Sequence, residues 1–146
     1  TGDIQLTLSQ SSPLTGAVVV TTPQDIALID AKKGLKMFEK VNVPLLGIVE
    51  NMSVFICPCC GEVTHIFGEG GAKRTSEQYG VPMLGELPLS PAIREAADSG
   101  RPTVAAEPES VAAKMYRAIA MKIAGSIAKL GKDYTARMPT ISVKND

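Results

Sequence analysis

The chain is 146 residues long, 45% apolar, and balanced at fifteen basic against fifteen acidic side chains, which is enough for one domain with a buried core and too little for two. Zero formal charge gives no general pull toward nucleic acid or an anionic membrane, so neither is expected as a partner. The apolar runs GAVVV and PLLGIV are too short to span a bilayer, the opening TGDIQLTLSQ lacks the basic start and apolar block of a secretory signal, and three clustered cysteines make no secreted disulfide framework; a cytoplasmic protein is expected.

At the amino end Ile4, Leu6 and Leu8 alternate with polar residues, a period that by itself predicts a strand. GAVVVTT (16–22) and PLLGIVEN (44–51) follow as β-branched, nearly continuous apolar runs, with PMLGELP (82–88) a weaker third. Such runs suit strands covered on both faces. Between the first two, Thr22 is the expected helix cap, with Pro23 in the first turn and Asp25 at the positive end. Leu28, Ala31, Leu35 and Phe38 then recur at helical spacing. After the third run Ser90 caps, Pro91 starts, and Gly100 with Pro102 ends a short helix. A longer helix begins near Pro108, turns Ala112, Met115, Tyr116, Ile119 and Ile123 inward, and has Gly131 past its end. Residues 132–146 have weak periodicity and are expected to form a mobile tail. Strand and helix in alternation predict an α/β fold with a parallel sheet and right-handed crossovers. Ligands of such sheets gather beyond the carboxyl ends of the strands.

A cysteine segment interrupts this order at about 52–70. The extended pieces SVFIC and EVTHIF flank the turn PCCG, which predicts a β-hairpin inserted after a core strand with its thiols at the tip. Cys57-Pro58-Cys59-Cys60-Gly61 has the form C-P-x-C-G. Two residues between Cys57 and Cys60 let both sulfurs face one metal, and a glycine after the second tolerates the positive φ that turns N–H groups toward sulfur. Metal or cluster ligation, a structural thiol pair and a redox dithiol all fit this pattern. Zinc and iron–sulfur sites usually take four protein ligands. Cys59, adjacent to Cys60, would need strained geometry to join them, and His65, beside an apolar pair, reads more readily as structural. Two copies of the chain across a twofold axis would reach four thiolates.

GEGGAKRTS (68–76) resembles a phosphate-binding loop only at a glance. The G-x-x-x-x-G-K-[ST] pattern needs glycine before lysine and Ser or Thr directly after, whereas Ala72 precedes Lys73 and Arg74 follows it. A glycine turn feeding a helix that ends at Gly80 is expected instead.

TGDIQLTLSQ, GAVVVTTPQDIALIDAKKGLKMF, GIVENMS, the knuckle with HIFGEGG, and LGELPLSPAIREAADSGRP resemble, in this order and spacing, the iron–sulfur cluster carriers of the Mrp/ApbC type, deviant-Walker P-loop ATPases related to MinD. The resemblance runs from Thr1 to about Gly131, which makes 1–131 the carboxyl-terminal part of such a domain. It implies a doubly wound, mainly parallel sheet and a homodimer that holds a labile [4Fe–4S] cluster at the knuckle and passes it to apo iron–sulfur recipient proteins. By the same resemblance Cys57 and Cys60 are the cluster ligands, and Asn51 reads the adenine edge of ATP. Leu87 and Pro88 line that base, while Thr1, Gly2 and Asp3 end the switch segment that follows the Mg²⁺-binding aspartate. It also places a helix after the switch, with Asp3 as its cap, against the strand expected from periodicity.

The family's phosphate loop with two lysines and its Walker B aspartate have no counterpart in these 146 residues. The chain therefore reads as the later half of a longer protein, expected by itself neither to bind ATP tightly nor to hydrolyse it. The rival readings are a zinc-binding structural or interaction module and a MinD-like positioning ATPase.

Overall fold

The computed structural model describes residues 2–130. The expectations for Thr1, for the stop at Gly131 and for the tail lie outside the described residues. The elements run α1 (Gly2–Ser11), β1 (Ala17–Thr21), α2 (Asp25–Lys40), β2 (Leu45–Glu50), β3 (Phe55–Ile56), β4 (Val63–Thr64), α3 (Gly71–Tyr79), β5 (Met83–Glu86), α4 (Pro91–Asp98), α5 (Thr103–Ala106) and α6 (Val111–Lys129).

β1, β2 and β5 form one parallel sheet in that order, as the apolar runs predict. Consecutive residues of a strand point to opposite faces, and here the two sets reach two different cores. Val19 and Ile48 pack with Ala31 and Leu35 of α2, Ala72 of α3 and Val81. On the other face Val49, Leu84 and Leu87 pack against Ile119 of α6, with Met115, Tyr116 and Ile123 half-buried around them. Helices on both faces explain why the runs are continuous rather than alternating. Cover is incomplete at β1, where Val20 is 62% exposed.

Several helix boundaries correct the sequence expectation. The amino-terminal segment is the helix that the resemblance places there, not the strand that periodicity suggests, and because it starts at Gly2, Asp3 stands in its first turn rather than capping it. Its Ile4 and Leu8 are exposed, so their alternation records no buried sheet face. Gln24, not Thr22, is the N-cap of α2; Pro23 holds the chain extended after β1, and the Thr22 hydroxyl bonds the Gln24 side chain. Ser90 occupies the N-cap of α4 with Pro91 behind it, but without a side-chain capping bond. α6 begins at Val111 rather than near Pro108, because the Ser110 hydroxyl accepts from the Ala113 amide at 3.1 Å and supplies the true cap. α5 was not expected, and Gly100 and Pro102 do end α4 ahead of it.

Candidate functional site

The carboxyl ends of β2 and β5 meet where the parallel register pairs Glu50 with Glu86. Just beyond that pair the Leu87 amide donates to Glu50 O at 2.8 Å, and the Asn51 amide donates to Thr21 O at 2.7 Å. Asn51, Leu87 and Pro88, separated by some three dozen positions, are thus neighbours at one sheet edge. Asn51 is half-buried and its side-chain Oδ1 accepts from the Met52 amide at 3.0 Å. Met52 itself is held at φ +56°, a left-handed conformation rare for a residue with a side chain. Gly2 and Asp3 belong to α1 and come from a separate element.

From this edge the chain leaves into the cysteine hairpin. β3 and β4 are two residues each and antiparallel, with Phe55 opposite Thr64 and Ile56 opposite Val63. The hairpin expected from SVFIC and EVTHIF is present, but its ladder is shorter. All three cysteines lie in the connection between the strands. The Cys57 amide donates to Glu62 O and the Gly61 amide to Cys57 O, both at 2.9 Å. Gly61 has φ +75°, the conformation the C-P-x-C-G pattern anticipates.

The Cys60 amide, then the Cys59 amide, then the Cys60 thiol lower the Cys57 pKa from its ordinary thiol value, against an opposing contribution from burial. Cys57 is partly buried and Cys59 and Cys60 are exposed, all three as free thiols. His65 stands 3.9 Å from Glu69 Oε1 on the hairpin's far arm. Among the described residues no group of three or more His, Cys, Asp and Glu side chains gathers to hold a metal ion. The described residues of one chain therefore present a paired-thiol knuckle and no assembled cage.

A residue the sequence reasoning passed over fixes the hairpin's return. Glu50 is only 3% exposed, and its Oε2 accepts from the Ala72 amide at 2.7 Å in the first turn of α3. An anionic carboxylate at a helix N-terminus is favoured by the unpaired N–H groups there. The signal was available: an acidic residue ending an apolar strand run needs a buried partner. Close approach of α3 depends on Gly71, where a Cβ would lie 2.6 Å from Leu28 Cδ1 and 2.8 Å from Pro23 O. GEGGAKRTS is thus a glycine turn into α3, which is closed by Gly80 in the left-handed conformation.

Comparison with known proteins identifies the family. The family model described as ParA, the NUBPL iron-transfer P-loop NTPase, matches residues 1–124. The chain belongs to this family. The iron-sulfur cluster carrier protein of Escherichia coli K12 is 60% identical over 127 residues, 87% of this chain and 34% of that protein. The iron-sulfur cluster transfer protein NUBPL of Mus musculus is 54% identical over 123 residues, 84% of this chain and 39% of that protein. The chain thus spans about a third to two fifths of the length of these curated relatives.

Solved structures place the family's fold. The nucleotide-binding protein of Archaeoglobus fulgidus in complex with ADP superposes with a TM-score of 0.62 at 38% identity, over 74% of this chain and 43% of that one. The cell division ATPase MinD of Pyrococcus furiosus gives 0.60 at 30% identity, over 76% and 43%. The three-stranded parallel sheet with α2, α3 and α6 is accordingly part of a MinD-like P-loop NTPase fold. No helix among the described residues is long and apolar enough to cross a membrane.

Proposed function

We propose that this chain is the cargo-holding part of an iron–sulfur cluster carrier. Cys57 and Cys60 of two copies hold one labile [4Fe–4S] cluster, which is passed to apo iron–sulfur recipient proteins in the cytoplasm. The observation that carries this reading is the knuckle itself: two free thiols of one C-P-x-C-G turn, closed by the Cys57 amide on Glu62 O and the Gly61 amide on Cys57 O. Amide donors offset the negative charge that thiolates bring to a cluster, and iron binds thiolate rather than thiol. The names of the relatives from Escherichia coli and Mus musculus support an iron–sulfur cargo.

Two thiolates are half of a four-ligand shell. A second copy supplies the other half, and a shell divided between subunits is one that opens when they part. Transfer is then ligand exchange without change of oxidation state. Each recipient thiol loses its proton as its sulfur bonds iron, and each released carrier sulfur takes up a proton.

The adenine end of an ATP site fits the other edge residues. Asn51 offers a side-chain amide at the carboxyl edge, and half-buried Pro88, next to the Leu87 backbone, supplies an adjacent apolar contact. By the family resemblance, Thr1, Gly2 and Asp3 stand for the end of the switch segment that follows the Mg²⁺-binding aspartate. The 146 residues hold no sequence that cradles the phosphates, so ATP hydrolysis belongs to a protein that joins this part to a phosphate loop.

Anaerobic reconstitution with iron and sulfide, followed by size-exclusion chromatography with metal and sulfide analysis, tests the carrier reading. Cluster absorbance should elute with dimer at four iron per two chains, a ratio set by the shared-ligand model. A cluster-loaded monomer overturns it, and zinc uptake without iron points to the structural module.

A further inference from the structure

The adenine-side loop and the thiols are joined by more than chain connectivity. Leu87 O receives two donors from one residue, the Ser53 amide at 3.0 Å and the Ser53 hydroxyl at 3.1 Å. Two residues on, the Leu89 amide donates to Val54 O at 2.8 Å, and Leu89 bridges Phe55 in parallel. Residues 53–55 and 87–89 thus prolong the β2–β5 pairing past the sheet edge, and β3 carries it to within one residue of Cys57. Ser53 is buried, so its hydroxyl bond to Leu87 O is shielded from competing water. Upstream, Met52 in the left-handed well is a strained joint between β2 and this extension.

We propose that Ser53 is a positioning residue that locks the Leu87–Leu89 loop and the cysteine hairpin into one unit, so that an adenine base seated against Pro88 at this edge shifts the knuckle that carries Cys57 and Cys60. The proposal rests on the adenine-edge reading above and adds its route to the thiols. Coupling of two sites requires a contiguous element that both bias; the 53–55/87–89 pairing supplies it. A nucleotide thereby acts on the cargo ligands within one chain, in addition to any effect on how two copies meet.

The test reads the free thiols of the apo chain, alkylated by iodoacetamide at one pH and resolved residue by residue by mass spectrometry. Pro88→Gly alters the loop without touching the knuckle and should change the Cys57 and Cys60 rates about threefold or more, the scale of coupling between groups in one network. In a Ser53→Ala background the same loop change should have much less effect, and Ser53→Thr, which keeps the hydroxyl, should restore it. Thermal melts separate this from general loosening, which would raise all three cysteine rates together. A Pro88→Gly effect of equal size with and without the Ser53 hydroxyl, or no effect at all, overturns the linkage.

A second measurement needs no substitution. If the two segments are one unit, the Leu89 and Cys57 amides exchange hydrogen with opening constants within about threefold of each other, as members of one cooperative unit do; independent opening overturns the proposal. Failure of iron and sulfide uptake would sink the carrier reading without altering these rates. Rates blind to Ser53 would sink the linkage and leave the carrier reading intact.

Discussion

Amide N–H groups of Cys60 and Cys59 aimed at one sulfur favour its anionic form, which is why the Cys57 pKa falls while burial opposes the fall. The native chain should accordingly show a pH–rate profile for Cys57 alkylation whose midpoint lies below that of the same residue in urea. A midpoint equal to or above the unfolded one would contradict the turn geometry. The sign for stability follows from the lowered native pKa: the contribution is fully present above the unfolded thiol's pKa and is lost as pH falls through the native value. Cluster loading should weaken in the same direction, because protons compete with iron for the sulfur. Substitution separates the three thiols. Cys57→Ala and Cys60→Ala should each abolish reconstituted cluster absorbance, while Cys59→Ala leaves most of it; equal losses from all three would point to a different ligand set.

At the scale of elements, the hairpin is held at its roots rather than along its length. β3 and β4 are two residues each, too short to be stable by themselves, and Ile56 and Val63 pair on an exposed face. What fixes the insert is Glu50 on Ala72 at one root and Ser53 on Leu87 at the other. Glu50→Ala leaves the Ala72 amide without its carboxylate acceptor and should cost about 1–3 kcal/mol in urea unfolding, while Glu50→Gln, which retains an acceptor, should cost less. Equal costs would mean that the hydrogen bond is not what Glu50 contributes. Gly71→Ala would press a methyl against Pro23 O, a backbone atom that cannot swing aside, and should destabilise by about 1–3 kcal/mol. Unchanged urea midpoints there would show that α3 has room to retreat from α2.

Among the described residues the sheet has two edge strands, β1 and β5. α6 covers one face over β5, whereas β1 leaves Val20 exposed, with Ile26 and Ile29 of α2 exposed nearby in sequence. An apolar strand face and an unpaired edge are where a larger P-loop sheet would continue. Isothermal titration of the 146-residue chain with ATP and Mg²⁺ should show affinity weaker than about 1 μM, the range that phosphate contacts confer on such sites. Micromolar or tighter binding would require a phosphate site that its sequence does not reveal.

Sequence alone determined the parallel sheet, its two-faced burial and the paired-thiol knuckle. Each is written in local order: continuous β-branched runs, helical spacing of Leu28, Ala31 and Leu35, and a proline and glycine bracketing Cys59 and Cys60. Periodicity by itself misread α1, because alternation of Ile4, Leu6 and Leu8 resembles a strand face when nothing buries it, whereas the family resemblance placed a helix there; α5 went unseen, because its four residues carry too little pattern. Only the tertiary structure decided that Asn51 and Leu87 share an edge, that Glu50 anchors α3, and that Ser53 binds the loop to the hairpin. Those are contacts between residues 22 to 36 positions apart, set by parallel strand register and helix packing, which no local periodicity encodes.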